Sequence, residues 1–259
     1  MILPNSFLQD ITNSKVVLIL GAGASMEASD GTGNTAPSGR ELGEKLAEHI
    51  LDSTFVDAPL SQISEFAINE ADIVTVQSFV ADLMRPFQPS TSHLMLAKHR
   101  WHGLATTNYD QLVEMAYGIA TSPLQRPVPF IANADRIDNE LSQPNSVSLL
   151  KLHGCVTRAN DAKVPFILTP DQYVEYLHGR SHVFQLLTDW AREHSFVFVG
   201  NRVDDINLRA ILLRLSREIP SLPRSFLVTP DSSGILSRFW EKRNIRVLPG
   251  TFNDFMNAI

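Results

Sequence analysis

Val16-Val-Leu-Ile-Leu20-Gly21-Ala22-Gly23-Ala24-Ser25 is an apolar run that breaks directly into a glycine turn. The run is continuous and does not alternate, the pattern of a strand covered on both faces, as in a parallel sheet. Glycine after such a strand lets the backbone turn sharply and approach a pyrophosphate without a Cβ in the way. Backbone N–H groups there, at a helix start, can hold phosphate oxygens. Taken alone the turn is ambiguous, because glycines also serve ordinary tight turns and Met26 stands where GxGxxG spacing puts its third glycine.

Working outward, similar buried runs recur at Leu104–Thr107, Val147–Leu152, Phe196–Val199, Phe226–Thr229 and Ile245–Leu248. Between them the spacing predicts helices over about 38–52, 60–84, 109–118, 170–192, 205–219 and 232–243. Ser38, Asp110 and the Pro170-Asp171 pair mark helix starts. This alternation predicts an α/β fold, a Rossmann-type doubly wound parallel sheet. The stretch from about 55 to 100 is too long for a simple crossover and reads as a helical insertion, while 119–146 reads as an irregular connection. Residues 1–12 read as a short helix or an arm used in assembly, and the whole of 1–259 as one domain.

Composition narrows the function. A net charge of −6 argues against a general nucleic-acid binder, which would carry a basic face. The single cysteine, Cys155, provides neither a disulfide framework nor a four-cysteine zinc site, and predicts a reducing, cytoplasmic setting. No run approaches the roughly 20 apolar residues of a membrane span, and the start lacks the features of a signal peptide. The sequence has no GxxxxGK[ST] phosphate loop.

Further short motifs stand at the ends of the predicted strands. Thr106-Thr107-Asn108-Tyr109-Asp110 follows the second strand, and Lys151-Leu152-His153-Gly154 follows the third. Phe196-Val-Phe-Val-Gly200 closes the fourth and is followed by Asp205 and Leu208. The small-residue stretch Ser29–Ala36 runs to Pro37-Ser38-Gly39 and reads as a flexible loop able to cover a cofactor. Strand ends are where open α/β sheets place a ligand crevice. There an asparagine can orient a ribose or a water, and a histidine can act as a base near neutral pH. Each residue also has an ordinary structural use, His153 in a core and Asn108 in a turn or cap.

In this order the motifs resemble the sirtuin-like NAD-consuming family, closely its zinc-free prokaryotic antiphage-defence branch, over residues 16–210. The resemblance implies that Gly21, Ala22, Gly23 and Ser25 line the pyrophosphate and ribose of NAD, with Pro37 and Ser38 beside them. It implies that Asn108 positions the nicotinamide ribose and a water, that His153 is the base, and that Asp110 meets the nicotinamide carboxamide. Thr107, Gly200 and Asp205 would shape the crevice. NAD is then a substrate, no metal is required, and the implied reaction is hydrolysis to nicotinamide and ADP-ribose. Such an activity implies regulation, through a homo-oligomer or a defence-system partner protein.

Two departures bear on this. Deacylating sirtuins typically carry four zinc cysteines, and Cys155 alone cannot supply them. Asn201-Arg202 follows Gly200 where the family usually has an aromatic residue or threonine and then serine, and Arg202 reads either as a phosphate partner or as a surface charge. Two other functions stay open on the sequence: a zinc-free deacylase or ADP-ribosyltransferase, and a non-catalytic NAD or ADP-ribose sensor. His99 and His102 lack the carboxylates and second shell of a metal site, and the apolar stripe Ile63, Phe66, Ala67, Phe79, Val80, Leu83 reads as packing.

Overall fold

A computed structural model describes residues 1–175, 177–201, 212, 223–230 and 233–259. The helix predicted over 205–219, with Arg202, Asp205 and Leu208, lies outside the described residues apart from Leu212. The centre is β1 (Val16–Leu20), buried along its whole length and paired in parallel with β2 (Gly103–Thr106) and β5 (Ser195–Val199). With β3 (Arg126–Phe130), β4 (Ser146–Lys151), β6 (Ser225–Thr229) and β7 (Ile245–Pro249) it makes a seven-stranded sheet in the order β3-β4-β2-β1-β5-β6-β7. Every pairing is parallel. The chain works outward on one side of β1, then returns to the other side at β5. This reversal of direction opens a crevice at the carboxyl ends.

Strand β3 falls inside the stretch read as irregular. Its sequence, Arg126-Pro-Val-Pro-Phe130, hides a strand behind two prolines. Arg126 N–H donates to Asn145 O at 2.8 Å, so the period of two turns Pro127 and Pro129 to the outer edge of the sheet. Proline is tolerated there, and the edge then offers no N–H at those positions to another strand.

Both faces of the sheet are covered, which is why its strands are apolar throughout. Val16, Leu18 and Leu20 point into one core with Phe7, Trp101, Phe252 and Phe255. Val17 and Ile19 point into the other with Val183, Phe184, Leu187, Trp190 and Trp240. Residues 1–12 contain α1 (Asn5–Thr12), docked on the first core with the Phe7 ring 4.1 Å from that of Phe226.

After β1 come the short α2 (Ala22–Ser25) and then α3 (Gly39–Ile50), which with α4 (Leu60–Glu70) and α5 (Ile73–Met84) builds a separate helical layer. The helix read as continuous over 60–84 breaks at Ala71, because the Asp72 carboxylate caps a new helix by accepting Thr75 N–H at 2.9 Å. Next comes α6 (Thr91–Leu96), which belongs to the sheet and buries Leu96 in the first core. The helix read over 170–192 is also two pieces. α9 (Pro170–Val174), which follows α7 (Leu112–Ile119) and α8 (Asp138–Leu141), is capped by Thr169. α10 (Ser181–Glu193) begins after Gly179, whose φ of +67° ends regular structure. Towards the end of the chain the described residues form α11 (Gly234–Glu241) and α12 (Phe252–Met256). Among the described residues no helix is long and apolar enough to cross a membrane, and no His/Cys/Asp/Glu cluster is placed to hold a metal.

Candidate active site

The carboxyl ends of six strands open into one cleft of about 950 Å³. Ala22, Gly23 and Ser25 follow β1; Thr107, Asn108 and Tyr109 follow β2; His153 follows β4. Gly200 and Asn201 follow β5, Thr229 ends β6, and Gly250, Thr251 and Phe252 follow β7. Pro37, Ser38, Leu42, Leu60 and Met84 wall the cleft from the helical layer, and Tyr173 adds a side from α9.

The glycines at the floor hold two strand ends together. Gly23 N–H donates to Gly200 O at 2.8 Å, and Gly21 N–H to Val199 O at 2.9 Å. Gly200 has φ +75°, and a Cβ there would sit 2.3 Å from Ala24 N. Only glycine satisfies both demands. The N–H groups of Gly21 and Gly23, read from the sequence as phosphate donors, are thus used within the protein. Gly21 lies beneath the cleft and does not line it.

Above this floor runs a chain of hydrogen bonds between residues distant in sequence. Thr106 Oγ1 donates to Leu20 O at 3.0 Å and accepts from Asn108 N–H at 2.9 Å. Asn108 Nδ2 donates to Gly21 O at 2.9 Å and to Ser25 Oγ at 2.7 Å. Ser25 Oγ in turn donates to Asp110 Oδ2 at 2.5 Å, and Asp110 Oδ1 accepts Leu112 N–H at 3.1 Å where α7 begins. Asp110 therefore stands behind Ser25 and does not itself line the cleft.

Underneath, the buried Lys151 ammonium donates to Asp110 O and pairs with Glu114 at 3.4 Å. Burial works against that ammonium, but the Glu114 charge and its neighbours outweigh it, holding the Lys151 pKa above its ordinary value.

His153 lines the cleft after β4, its ring edge-on to Tyr173 at 5.6 Å. Burial, and then the charge of Arg180, push the imidazole pKa down to about 3, so it is neutral at physiological pH. Arg180 is itself buried and donates to Val164 O at 3.2 Å and to Pro165 O.

The loop before α3, expected to be flexible and able to cover a cofactor, carries hydrogen bonds of its own. Asp30 Oδ1 accepts Thr32 N–H at 2.8 Å and Asn34 N–H at 3.2 Å, and Ser29 bridges to Thr35 and to Gln88. Ser38 caps α3 through a reciprocal pair with Glu41. Of the residues singled out in the sequence, Ala22, Gly23, Ser25, Pro37, Ser38, Thr107, Asn108, His153 and Gly200 share the cleft. Gly21 and Asp110 lie against it, and Asp205 lies outside the described residues. The sequence reading assigned Tyr109 no role beyond its motif and passed over Tyr173, Thr229, Thr251 and Phe252. The strand-end rule, applied to the last two strands, points to the final three.

A central strand ending in a glycine turn, Asn108 and His153 on flanking strand ends, and one cleft spanning the switch point define a dinucleotide-type α/β protein. Residues 102–248, more than half of the chain, match the family model of the SIR2-like domain, and the chain belongs to that family. It is 29% identical over 197 residues to the NAD(+) hydrolase ThsA of Acinetobacter baumannii (strain 532279), an alignment covering 71% of this chain and 38% of that protein. The chain therefore spans well under half of that curated relative. Among solved structures it resembles a Sir2 homologue mutant in complex with ADP-ribose, at TM-score 0.58 and 15% identity, over 98% of this chain and 94% of the other. It also resembles a Sir2 homologue in complex with NAD, at TM-score 0.55 and 14% identity, over 98% and 91%. At these identities the structures establish the shared fold.

Proposed function

We propose that the cleft binds NAD and that this chain hydrolyses the bond between nicotinamide and ribose, releasing nicotinamide and ADP-ribose. The observation that carries this is the meeting of Ser25, Asn108 and His153 on one cleft at the sheet's switch point. Its volume of about 950 Å³ is at the large end of ligand pockets, as an extended dinucleotide needs. The name of the Acinetobacter relative supports the same reaction.

The chemistry balances simply. A water oxygen bonds to the anomeric carbon while the carbon–nitrogen bond breaks, and its electron pair returns to the pyridinium nitrogen, which leaves as neutral nicotinamide. The water's proton passes to His153, which burial keeps neutral at physiological pH while making it a weak base. A cationic leaving group departs easily, so the water needs aiming more than ionising, and a weak base suffices. Asn108 suits the aiming role: Gly21 and Ser25 fix its amide nitrogen, which sets the direction of its carbonyl.

We read the chain as a regulated effector of antiphage defence, active in a homo-oligomer or with a partner protein. The family resemblance supports this, and the lone buried thiol of Cys155 fits a reducing compartment such as the cytoplasm. The test is nicotinamide release from NAD over a series of protein concentrations. Asn108→Ala and His153→Ala should each lower it by about 100-fold or more while leaving the circular dichroism unchanged. Full release by both folded variants would overturn the assignment.

A further inference from the structure

Asn108 and His153 stand on different strand ends, so their alignment depends on what ties those ends together. After β4 the chain turns at Gly154, whose φ is +100°. It later comes back against that turn as the segment 164–168, which belongs to no helix or strand. Phe166, Ile167 and Leu168 are buried all the same. Buried backbone outside regular structure must find its hydrogen-bond partners elsewhere. Here side chains far away in the sequence supply them.

Ile167 is the centre of the arrangement. Its N–H donates to His153 O at 3.0 Å, and its carbonyl accepts the Tyr109 hydroxyl at 2.7 Å. Val156 N–H donates to Tyr109 O at 2.8 Å, so Tyr109 holds the turn after His153 a second time. The Tyr109 ring also stacks on Phe166, with 5.0 Å between centroids and 16° between planes. Tyr109 follows Asn108 directly in the chain. One residue is therefore joined to Asn108 by a peptide bond and to His153 through the Ile167 backbone.

The same segment is anchored from two other sides. Gln77 of α5 is fully buried; its Oε1 accepts Phe166 N–H at 2.6 Å and its Nε2 donates to Ala159 O at 2.8 Å. Arg180 donates to Val164 O at 3.2 Å and to Pro165 O. A Cβ on Gly154 would lie 2.9 Å from Phe166 Cδ1, so the segment and the turn already meet at the closest approach a side chain allows.

We propose that Tyr109 is a positioning residue that sets His153 against Asn108 through its hydroxyl bond to Ile167 O, with Gln77 fixing the same segment from the helical layer. The inference rests on the hydrolysis of NAD proposed above, because it names what aligns the two residues that reaction uses. Misplacing a reacting group by about 1 Å can cost about 100-fold in rate. Tyr109 lines the cleft, but its hydroxyl gives its one proton to a main-chain carbonyl, so its part is alignment and not proton transfer.

Tyr109→Phe deletes the hydroxyl and keeps the ring on Phe166, so the fold should survive. Nicotinamide release by this variant should fall about 10-fold in kcat, with KM and the calorimetric affinity for ADP-ribose unchanged. Amide hydrogen exchange at Ile167, whose N–H is bonded to His153 O, should quicken about 5-fold in the same variant. Gln77→Met, read in the same assays, should also act on kcat and not on KM. An unchanged kcat in folded Tyr109→Phe would overturn the inference, as would a loss that falls on ADP-ribose binding. A fall in kcat with exchange at Ile167 unmoved would make the hydroxyl a direct participant and overturn the positioning role too. Absence of release from the unaltered protein would overturn the hydrolysis itself, and this role with it, before any variant is compared.

Discussion

Asn108 and Asn201 are both buried at strand ends in the same cleft, 8% and 2% exposed, and they are handled in opposite ways. Asn108 is held by Gly21 O and Ser25 Oγ, and Ser25 is held by Asp110. Asn201 has no partner on either amide atom among the described residues. A residue that must aim a reacting water gains from being fixed before the ligand arrives, because no reorganisation remains at the moment of reaction. A residue that only reads a ligand can leave its hydrogen bonds to be made by that ligand. The contrast predicts that Asn108 serves turnover and Asn201 affinity.

The largest effect that would test this lies below Asn108. Lys151 is fully buried, supports Asp110 O and pairs with Glu114. Lys151→Met strands the Glu114 carboxylate in the interior and should cost about 3–5 kcal/mol of stability, read as a lowered urea midpoint. The double variant Lys151→Met with Glu114→Leu should recover most of that loss, since two apolar groups replace a buried pair at little cost. Wild-type stability in the single variant would show that the ion pair does not underpin the Asn108 loop.

Next in size is Ser25→Ala, which removes both the acceptor for Asn108 Nδ2 and the donor to Asp110. It should lower kcat by about 100-fold with KM nearly unchanged, because it disturbs aim more than binding. Asn201→Ala should do the reverse and act on KM. If both variants moved the same parameter, the distinction between the two asparagines would fail.

How much of this was legible beforehand follows from how local each signal is. The doubly wound sheet was readable because buried parallel strands are apolar throughout, as in Val16–Leu20. Strand β3 was not, because Pro127 and Pro129 read as loop until the sheet edge they face is known. The place of Asn108 and His153 on the cleft was readable from their motifs at strand ends. The contact between Ser25 and Asp110 joins residues 85 positions apart and exists only through packing of β1 on β2. Lys151 at a strand end reads as solvent-seeking, and only the fold brings Glu114 beneath it. The glycines show the converse: their need was plain in the sequence, but its cause is the contact between Gly23 and Gly200.

The smallest effect expected is a fall in stability with pH. His153 is held down to about 3, and His93 to about 4, in both cases mainly by burial. Both are neutral in the folded chain, whereas the unfolded chain protonates them near the ordinary 6.5. Stability is therefore whole above pH 6.5 and falls as pH drops from there toward the folded values. Each buried imidazole should cost on the order of 1–2 kcal/mol by pH 5, seen as a fall in urea midpoint between pH 7.5 and pH 5. Turnover by the protein that remains folded should stay level over the same range, because His153 is already neutral. The Asp254 carboxylate is also lowered, from 3.8, by the Thr251 backbone N–H and hydroxyl, but for an acid that shift favours the charged form. Its contribution to stability is complete above 3.8 and lost only as pH falls below that value, so it does not add to the fall between pH 7.5 and pH 5. An acid limb in kcat/KM near 6.5, with no loss of stability, would instead mean that His153 is solvated.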